Sequence, residues 1–180
     1  MDIVVNADTF TSLGSVLPAG DVVVEKAITI EMAHRLQYHE GKCRNIHGHS
    51  WSIKIAVSGK PTEDIHSPKD GMVADFYILK RALTCIEELF DHSITLASSD
   101  PLADVLYQQG GFVVAQQTQW WGTTLVNDFG RINLIPPTPT SENLVRLWGQ
   151  MLAHNLPGLE IAYVSVKETA SSEATWIPNK

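Results

Sequence analysis

The fold is decided by three consecutive segments: VVVEKAITIEMAH (22–34), RLQYHEGKCRNI (35–46) and HGHSWSIKIAVS (47–58). Side chains alternate in the first segment, which predicts a strand with one face formed by Ile28, Ile30, Met32 and His34. The third segment predicts a second strand, with one face formed by His47, His49, Trp51, Ile53, Ile55 and Val57. The middle segment is polar and contains Gly41, so it predicts a loop.

Outward from this pair, the sequence predicts three helices and three further strands. Apolar residues at spacings of three and four indicate a helix that is capped by Asp75 and ends at Phe90. Two more helices are predicted over about 101–109 and about 141–154, the latter capped by Thr140 or Ser141. The further strands are predicted over 112–117, 131–135 and 159–167. This order indicates a two-layer α+β fold, an antiparallel sheet with helices on one face, in a single domain over residues 1–180.

The composition excludes several classes of protein. The 180 residues are 44% hydrophobic and 18% charged, which is typical of a globular chain with a sizeable core. The formal net charge of -7 argues against a nucleic-acid-binding face. No apolar run approaches the roughly 18 residues of a membrane span, and the N-terminus lacks the basic region of a signal peptide. Two cysteines cannot build a disulfide framework, so we expect a cytoplasmic protein.

A metal site is the sharpest chemical prediction. His47 and His49 stand two residues apart on one strand, so their side chains share a face and are about 6.6 Å apart along the backbone. If the two strands pair as an antiparallel hairpin, His34 comes beside them. Three imidazoles leave the fourth position of a tetrahedral zinc ion open, as in catalytic sites. An isolated His-Gly-His would more simply be a chance motif, but with His34 in register and Cys43 nearby the metal site is favoured.

Cys43 has three interpretations on the sequence alone. It could be a fourth zinc ligand, which would close the site and make it structural. It could be an inert thiol, or a base or nucleophile activated by the metal and by Lys42 and Arg44. The spacing of the residues does not choose among these.

Three other features are open to a functional and a simpler interpretation. The carboxylate of Asp91 could orient His92 for proton transfer, although a histidine at a helix end is also favoured by the helix dipole. Glu168 is either a solvated strand end or a carboxylate that accepts hydrogen bonds from a heterocycle. Trp120 and Trp121 are interpreted as surface-loop or interface packing.

Six motifs in order resemble the 6-pyruvoyl-tetrahydropterin synthase family, and most closely its 6-carboxytetrahydropterin synthase branch. They are AHRL (33–36), HEGKCRNIHGH (39–49), SPKDGMVADF (67–76), FDHSITL (90–96), PTSENL (139–144) and VKETASS (166–172). The match covers roughly 27–96 and 136–176. Residues 1–24 precede it, and residues 97–135 replace what is often a shorter connection.

The resemblance implies a tunnelling fold (T-fold), in which trimers stack into homo-hexamers with active sites between subunits. It implies zinc bound by His34, His47 and His49, a catalytic Cys43, and a catalytic Asp91–His92 pair. Pterin contacts are implied for Glu168, Thr140 and Ser141.

The branch converts 7,8-dihydroneopterin triphosphate to 6-carboxy-5,6,7,8-tetrahydropterin, acetaldehyde and triphosphate, a reaction that serves 7-deazaguanine (queuosine-type) biosynthesis. Two alternatives stay open. One is the pyruvoyl-forming relative, which shares the substrate, zinc and fold. The other is a zinc-stabilised binding protein without catalysis, in which Cys43 closes the metal site.

Overall fold

One mixed β-sheet carries the fold in the computed structural model, which describes residues 20–118, 121–128 and 130–179. Its strands are β1 (Val22–His34), β2 (His47–Gly59), β3 (Ser93–Ala97), β4 (Val113–Thr118), β5 (Gly122–Asn127), β6 (Gly130–Ile135), β7 (Glu160–Thr169) and β8 (Ser172–Trp176). The helices are α1 (Phe76–Phe90), α2 (Pro101–Gln109) and α3 (Ser141–Asn155), and a 3-10 turn spans Lys42–Arg44. The predicted α+β fold is confirmed.

The strands are ordered β4-β5-β6-β3-β1-β2-β7-β8 across the sheet. The predicted pairing of the first two strands is confirmed, because β1 and β2 are antiparallel over their whole length, from Val22 opposite Gly59 to His34 opposite His47. The sheet is not antiparallel throughout, since β3 runs parallel to both β1 and β6. The connection from β1 to β3 contains α1, and the connection from β3 to β6 contains α2. Parallel strands require such crossover connections.

The main core lies between the sheet and the helices α1 and α3. It is built around the buried side chains of Trp51, Phe90 and Trp148, whose rings meet edge to face. Each helix begins at the residue that the sequence favoured, because Asp75 accepts from Tyr77 N and Thr140 from Asn143 N. The helix α3 lies close to β8: a Cβ on Gly149 would stand 2.2 Å from the Trp176 ring.

The helix α2 packs on the opposite face of the sheet, so the prediction of helices on one face applies only to α1 and α3. Residues paired on neighbouring strands point to the same face of the sheet, so Ala33, Ile94 and Ile132 share one face. This is the face opposite the core, because Ala33 lies between Met32 and His34, whose side chains point into the core. A second cluster forms there from Leu96, Leu125 and Ile132, packed by Ile94, Leu102, Leu106, Phe112 and Leu134.

The predicted insert over 97–135 contains α2, β4, β5 and β6, and it widens the sheet beyond β3. The interpretation of Trp121 as surface or interface packing was wrong, because its side chain is only 2% exposed and packs on Phe90. Trp120 lies outside the described residues, as do residues 1–19 of the N-terminal segment. Among the helices of the described ranges, none has the length and apolar character needed to cross a membrane.

Candidate metal centre

The three histidines that the sequence singled out converge at one end of the β1–β2 pair. His34 lies directly opposite His47, and His49 lies opposite Met32. The ring centroids are 4.5 Å apart for His34 and His47, 5.0 Å for His47 and His49, and 5.4 Å for His34 and His49. Trp51 packs edge-on against His34 and His49, which restricts the orientation of both rings.

Backbone carbonyls orient two of the rings. His34 Nδ1 lies 2.8 Å from the Pro139 carbonyl oxygen, and His47 Nδ1 lies 2.9 Å from that of Asn45. A carbonyl can only accept, so each Nδ1 carries the hydrogen and each Nε2 keeps its lone pair in the neutral ring. This arrangement is the one that holds metal-binding histidines in place.

The Nε2 atoms of His34 and His49 are buried, and neither has a hydrogen-bond partner among the described residues. Burial lowers the pKa of His34, although the hydrogen bond to Pro139 opposes the shift, so the ring is held in its neutral, metal-binding form. Two buried ring nitrogens without hydrogen-bond partners are costly unless a cation meets them. The histidines therefore fit a metal ion.

Glu168 joins the three histidines. One ligand atom from each of the four residues lies within 4.8 Å of the others. Glu168 Oε1 stands 3.2 Å from both His34 Nε2 and His49 Nε2, and Ser141 Oγ donates to Glu168 Oε2 at 2.8 Å. Nitrogen ligands with one carboxylate are a donor set that suits Zn²⁺.

Cys43 stands apart from this four-residue cluster. It lies half-buried in the 3-10 turn Lys42–Arg44, and its carbonyl accepts a 2.8 Å hydrogen bond from Leu36 N. This placement favours a thiol outside the metal site over a fourth zinc ligand. Glu168 takes the place among the histidines that the structural-zinc interpretation gave to Cys43.

Asp91 and His92 form a pair between α1 and β3. Asp91 Oδ2 accepts a hydrogen bond of 2.8 Å from His92 Nδ1, while its Oδ1 accepts one of 2.8 Å from Glu31 N. The Glu31 peptide N–H holds the pKa of Asp91 below its usual value. His92 has a positive φ of 53°, and its backbone N–H donates a hydrogen bond of 2.7 Å to Glu31 O, which holds this conformation.

His92 lies outside the four-residue cluster of its own chain. Its side chain is 78% exposed and borders a cavity of about 910 Å³ that is also lined by His49, Ala33, Ile94 and Leu106. Ala33, Ile94 and Leu106 lie on the α2 side of the sheet, whereas the side chains of the histidine cluster lie on the face of α1 and α3.

Sequence reasoning missed the groups that orient the histidines. The carbonyls of Asn45 and Pro139 leave no signal in a sequence, because every residue carries a carbonyl. The contact of Ser141 with Glu168 joins two residues that the motifs had named separately as pterin contacts. The assignment of both residues as pterin contacts was the one indication in the sequence that they lie close together.

Comparisons with known proteins identify the family and the fold. A sequence profile of the 6-pyruvoyl tetrahydropterin synthase family matches residues 23–178. The chain is 38% identical over 71 residues to the 6-carboxy-5,6,7,8-tetrahydropterin synthase of Synechocystis sp., which covers 39% of this chain and 54% of that protein. The chain thus spans about half the length of this relative.

A longer match reaches the 6-carboxy-5,6,7,8-tetrahydropterin synthase of Aquifex aeolicus, with 29% identity over 176 residues, 85% of this chain and 96% of the relative. Among solved structures, the fold is similar to that of Caenorhabditis elegans 6-pyruvoyl tetrahydropterin synthase. The TM-score is 0.57 with 21% identity, and the match covers 89% of this chain and 97% of that chain. The predicted T-fold is therefore confirmed.

Proposed function

The chain belongs to the 6-pyruvoyl tetrahydropterin synthase family, and from this premise we propose that it is a zinc-dependent 6-carboxy-5,6,7,8-tetrahydropterin synthase. It converts 7,8-dihydroneopterin triphosphate to 6-carboxy-5,6,7,8-tetrahydropterin, acetaldehyde and triphosphate, in the route to 7-deazaguanines. The observation that carries this proposal is the convergence of His34, His47 and His49 with two buried, unpartnered Nε2 atoms. The names of the Synechocystis and Aquifex relatives favour the carboxy-forming branch.

The three histidines would hold the zinc ion, with His34 and His47 offering Nε2 because each Nδ1 is hydrogen-bonded to a carbonyl. When bound, zinc supplies a Lewis acid that polarises substrate oxygens and acidifies the adjacent C–H bonds. Trp51 excludes water from one side of the imidazoles and keeps their rings aligned.

Cys43 acts as the base that takes a proton from the substrate side chain. It lies between Lys42 and Arg44 in the 3-10 turn. His92 returns or relays a proton while Asp91 accepts from its Nδ1 and fixes the tautomer. Because His92 lies outside the cluster of its own chain, it would serve the site of a neighbouring subunit in a homo-hexamer.

Glu168 anchors the pterin, together with Thr140 and Ser141. A cavity of about 380 Å³ borders Glu168 and His49 and is also lined by Ser50, Ser52 and Lys167. A carboxylate can accept hydrogen bonds from the ring N–H and the exocyclic NH₂ of a pterin, and such charge-assisted bonds are about twice as strong as neutral ones.

The test is release of triphosphate from 7,8-dihydroneopterin triphosphate by the zinc-loaded protein. We expect turnover that stops when a chelator removes the metal and returns when zinc is restored. A protein that binds zinc but leaves this substrate intact would instead favour the non-catalytic binding protein.

A further inference from the structure

The carboxylate of Glu168 lies in an unusual environment. Its Oε1 is 3.2 Å from Nε2 of both His34 and His49, but neither nitrogen makes a hydrogen bond within the described part of the chain. In the neutral tautomer of His34 that Pro139 selects, Nε2 presents a lone pair to this oxygen. A lone pair that faces an anionic oxygen is repulsive unless a cation lies between them.

Two of the distances between ligand atoms fit one shared ion. Ligand atoms that lie about 2.0–2.1 Å from a tetrahedral zinc ion are separated from each other by about 3.3 Å. The two separations of 3.2 Å fit this edge length. Oε1 therefore stands, relative to the two nitrogens, where a fourth ligand belongs.

A register shift in β7 sets the direction of the Glu168 side chain. In the pairing of β7 with β8, Lys167 lies opposite Glu173 and Thr169 opposite Ser172, so the register shifts at Glu168. Such bulges re-aim a side chain next to a site. The second oxygen, Oε2, is fixed by Ser141 Oγ at 2.8 Å, which leaves Oε1 free to face the histidines.

We propose that Glu168 Oε1 is the fourth ligand of the metal in the substrate-free protein. The site is then closed by three imidazoles and one carboxylate until substrate arrives. The identity of the metal rests on the proposed function. In that reaction the same carboxylate, which borders the cavity of about 380 Å³ together with His49, would accept hydrogen bonds from the pterin.

The experiment measures metal binding without substrate. Zn²⁺ affinity is determined by competition with a chromophoric chelator, and the visible spectrum of the Co²⁺-loaded protein is recorded, for wild type and Glu168→Gln. Glu173→Gln is the matched control, because Glu173 lies on the neighbouring strand and pairs with Lys167 at 3.8 Å. Circular dichroism establishes that each variant is folded.

We expect Glu168→Gln to weaken Zn²⁺ binding about tenfold or more and to change the Co²⁺ spectrum, with Glu173→Gln unchanged. Ser141→Ala, which removes the hydroxyl that holds Oε2, should lose less affinity in the same direction. Wild-type affinity and spectrum in Glu168→Gln would overturn the proposal and leave the histidine site standing. A wild-type protein that binds neither metal would contradict the proposed function as well.

Discussion

Arg35 donates two hydrogen bonds of 2.7 Å, from Nε and Nη2, to the two oxygens of the buried Asp100 carboxylate. Asp100 also caps α2 by accepting from Leu102 N at 2.9 Å. Arg35, which follows His34 in the chain, is thereby hydrogen-bonded to the start of the insert over 97–135. The guanidinium of Arg35 is engaged in this pair through Nε and Nη2.

Asp100→Asn tests this connection. One oxygen of the bidentate pair is replaced by a donor that faces the Arg35 guanidinium, so we expect the free energy of unfolding to fall by about 2–3 kcal/mol. Urea denaturation measures the change. Asp104→Asn, at an exposed position of the same helix, is the control and should change stability little. Equal stabilities for the two variants would show that the pair contributes nothing.

His47→Ala tests the metal site. Removal of one of three imidazoles should abolish stoichiometric zinc, because the remaining ligands no longer enclose the ion. Metal analysis of the purified protein is the measurement. His66→Ala, at an exposed position in the loop after β2, should retain its metal. Full zinc retention in His47→Ala would remove this histidine from the ligand set.

Cys43→Ala separates the catalytic from the structural interpretation. The thiol lies outside the four-residue cluster, so we expect unchanged zinc content and fold together with a loss of turnover. The matched control is Cys85→Ser, a half-buried cysteine in α1. If Cys43→Ala lost zinc and activity together, Cys43 would be a ligand after all.

Asp91→Asn tests the orientation of His92. The amide can still accept from Glu31 N, but its NH₂ would face His92 Nδ1 and select the wrong tautomer. We expect kcat to fall about 10- to 100-fold while KM and zinc content stay the same. A kcat equal to that of the wild type would exclude the pair from the mechanism.

The sequence pattern predicted those strands and helices whose formation depends on residues close together in the chain. The β1–β2 pair alternates over 13 residues in each strand, and α1 and α3 carry N-caps and apolar stripes. The strands that were missed are β3, β5 and β8. β3 pairs with partners distant in the sequence, such as Met32 for Ser93, so its local sequence does not reveal it.

In the candidate site, too, local sequence pattern predicted some features and distant contacts determine the others. Residue type and spacing predicted the convergence of His34, His47 and His49, because strand alternation fixes which side chains share a face. The approach of Glu168 to His34 depends on how β7 lies across β2, which no local pattern reveals. The side of the sheet on which His92 lies follows from its positive φ and its bond to Glu31, and this too is tertiary.

The identity of the product tests the proposed function most directly. Zinc-loaded protein is incubated with 7,8-dihydroneopterin triphosphate, and the pterin product is identified by mass spectrometry alongside an assay for acetaldehyde. We expect 6-carboxy-5,6,7,8-tetrahydropterin with one acetaldehyde per triphosphate released. A 6-pyruvoyl product without acetaldehyde would contradict the carboxy-forming activity and assign the chain to the pyruvoyl-forming reaction of its family.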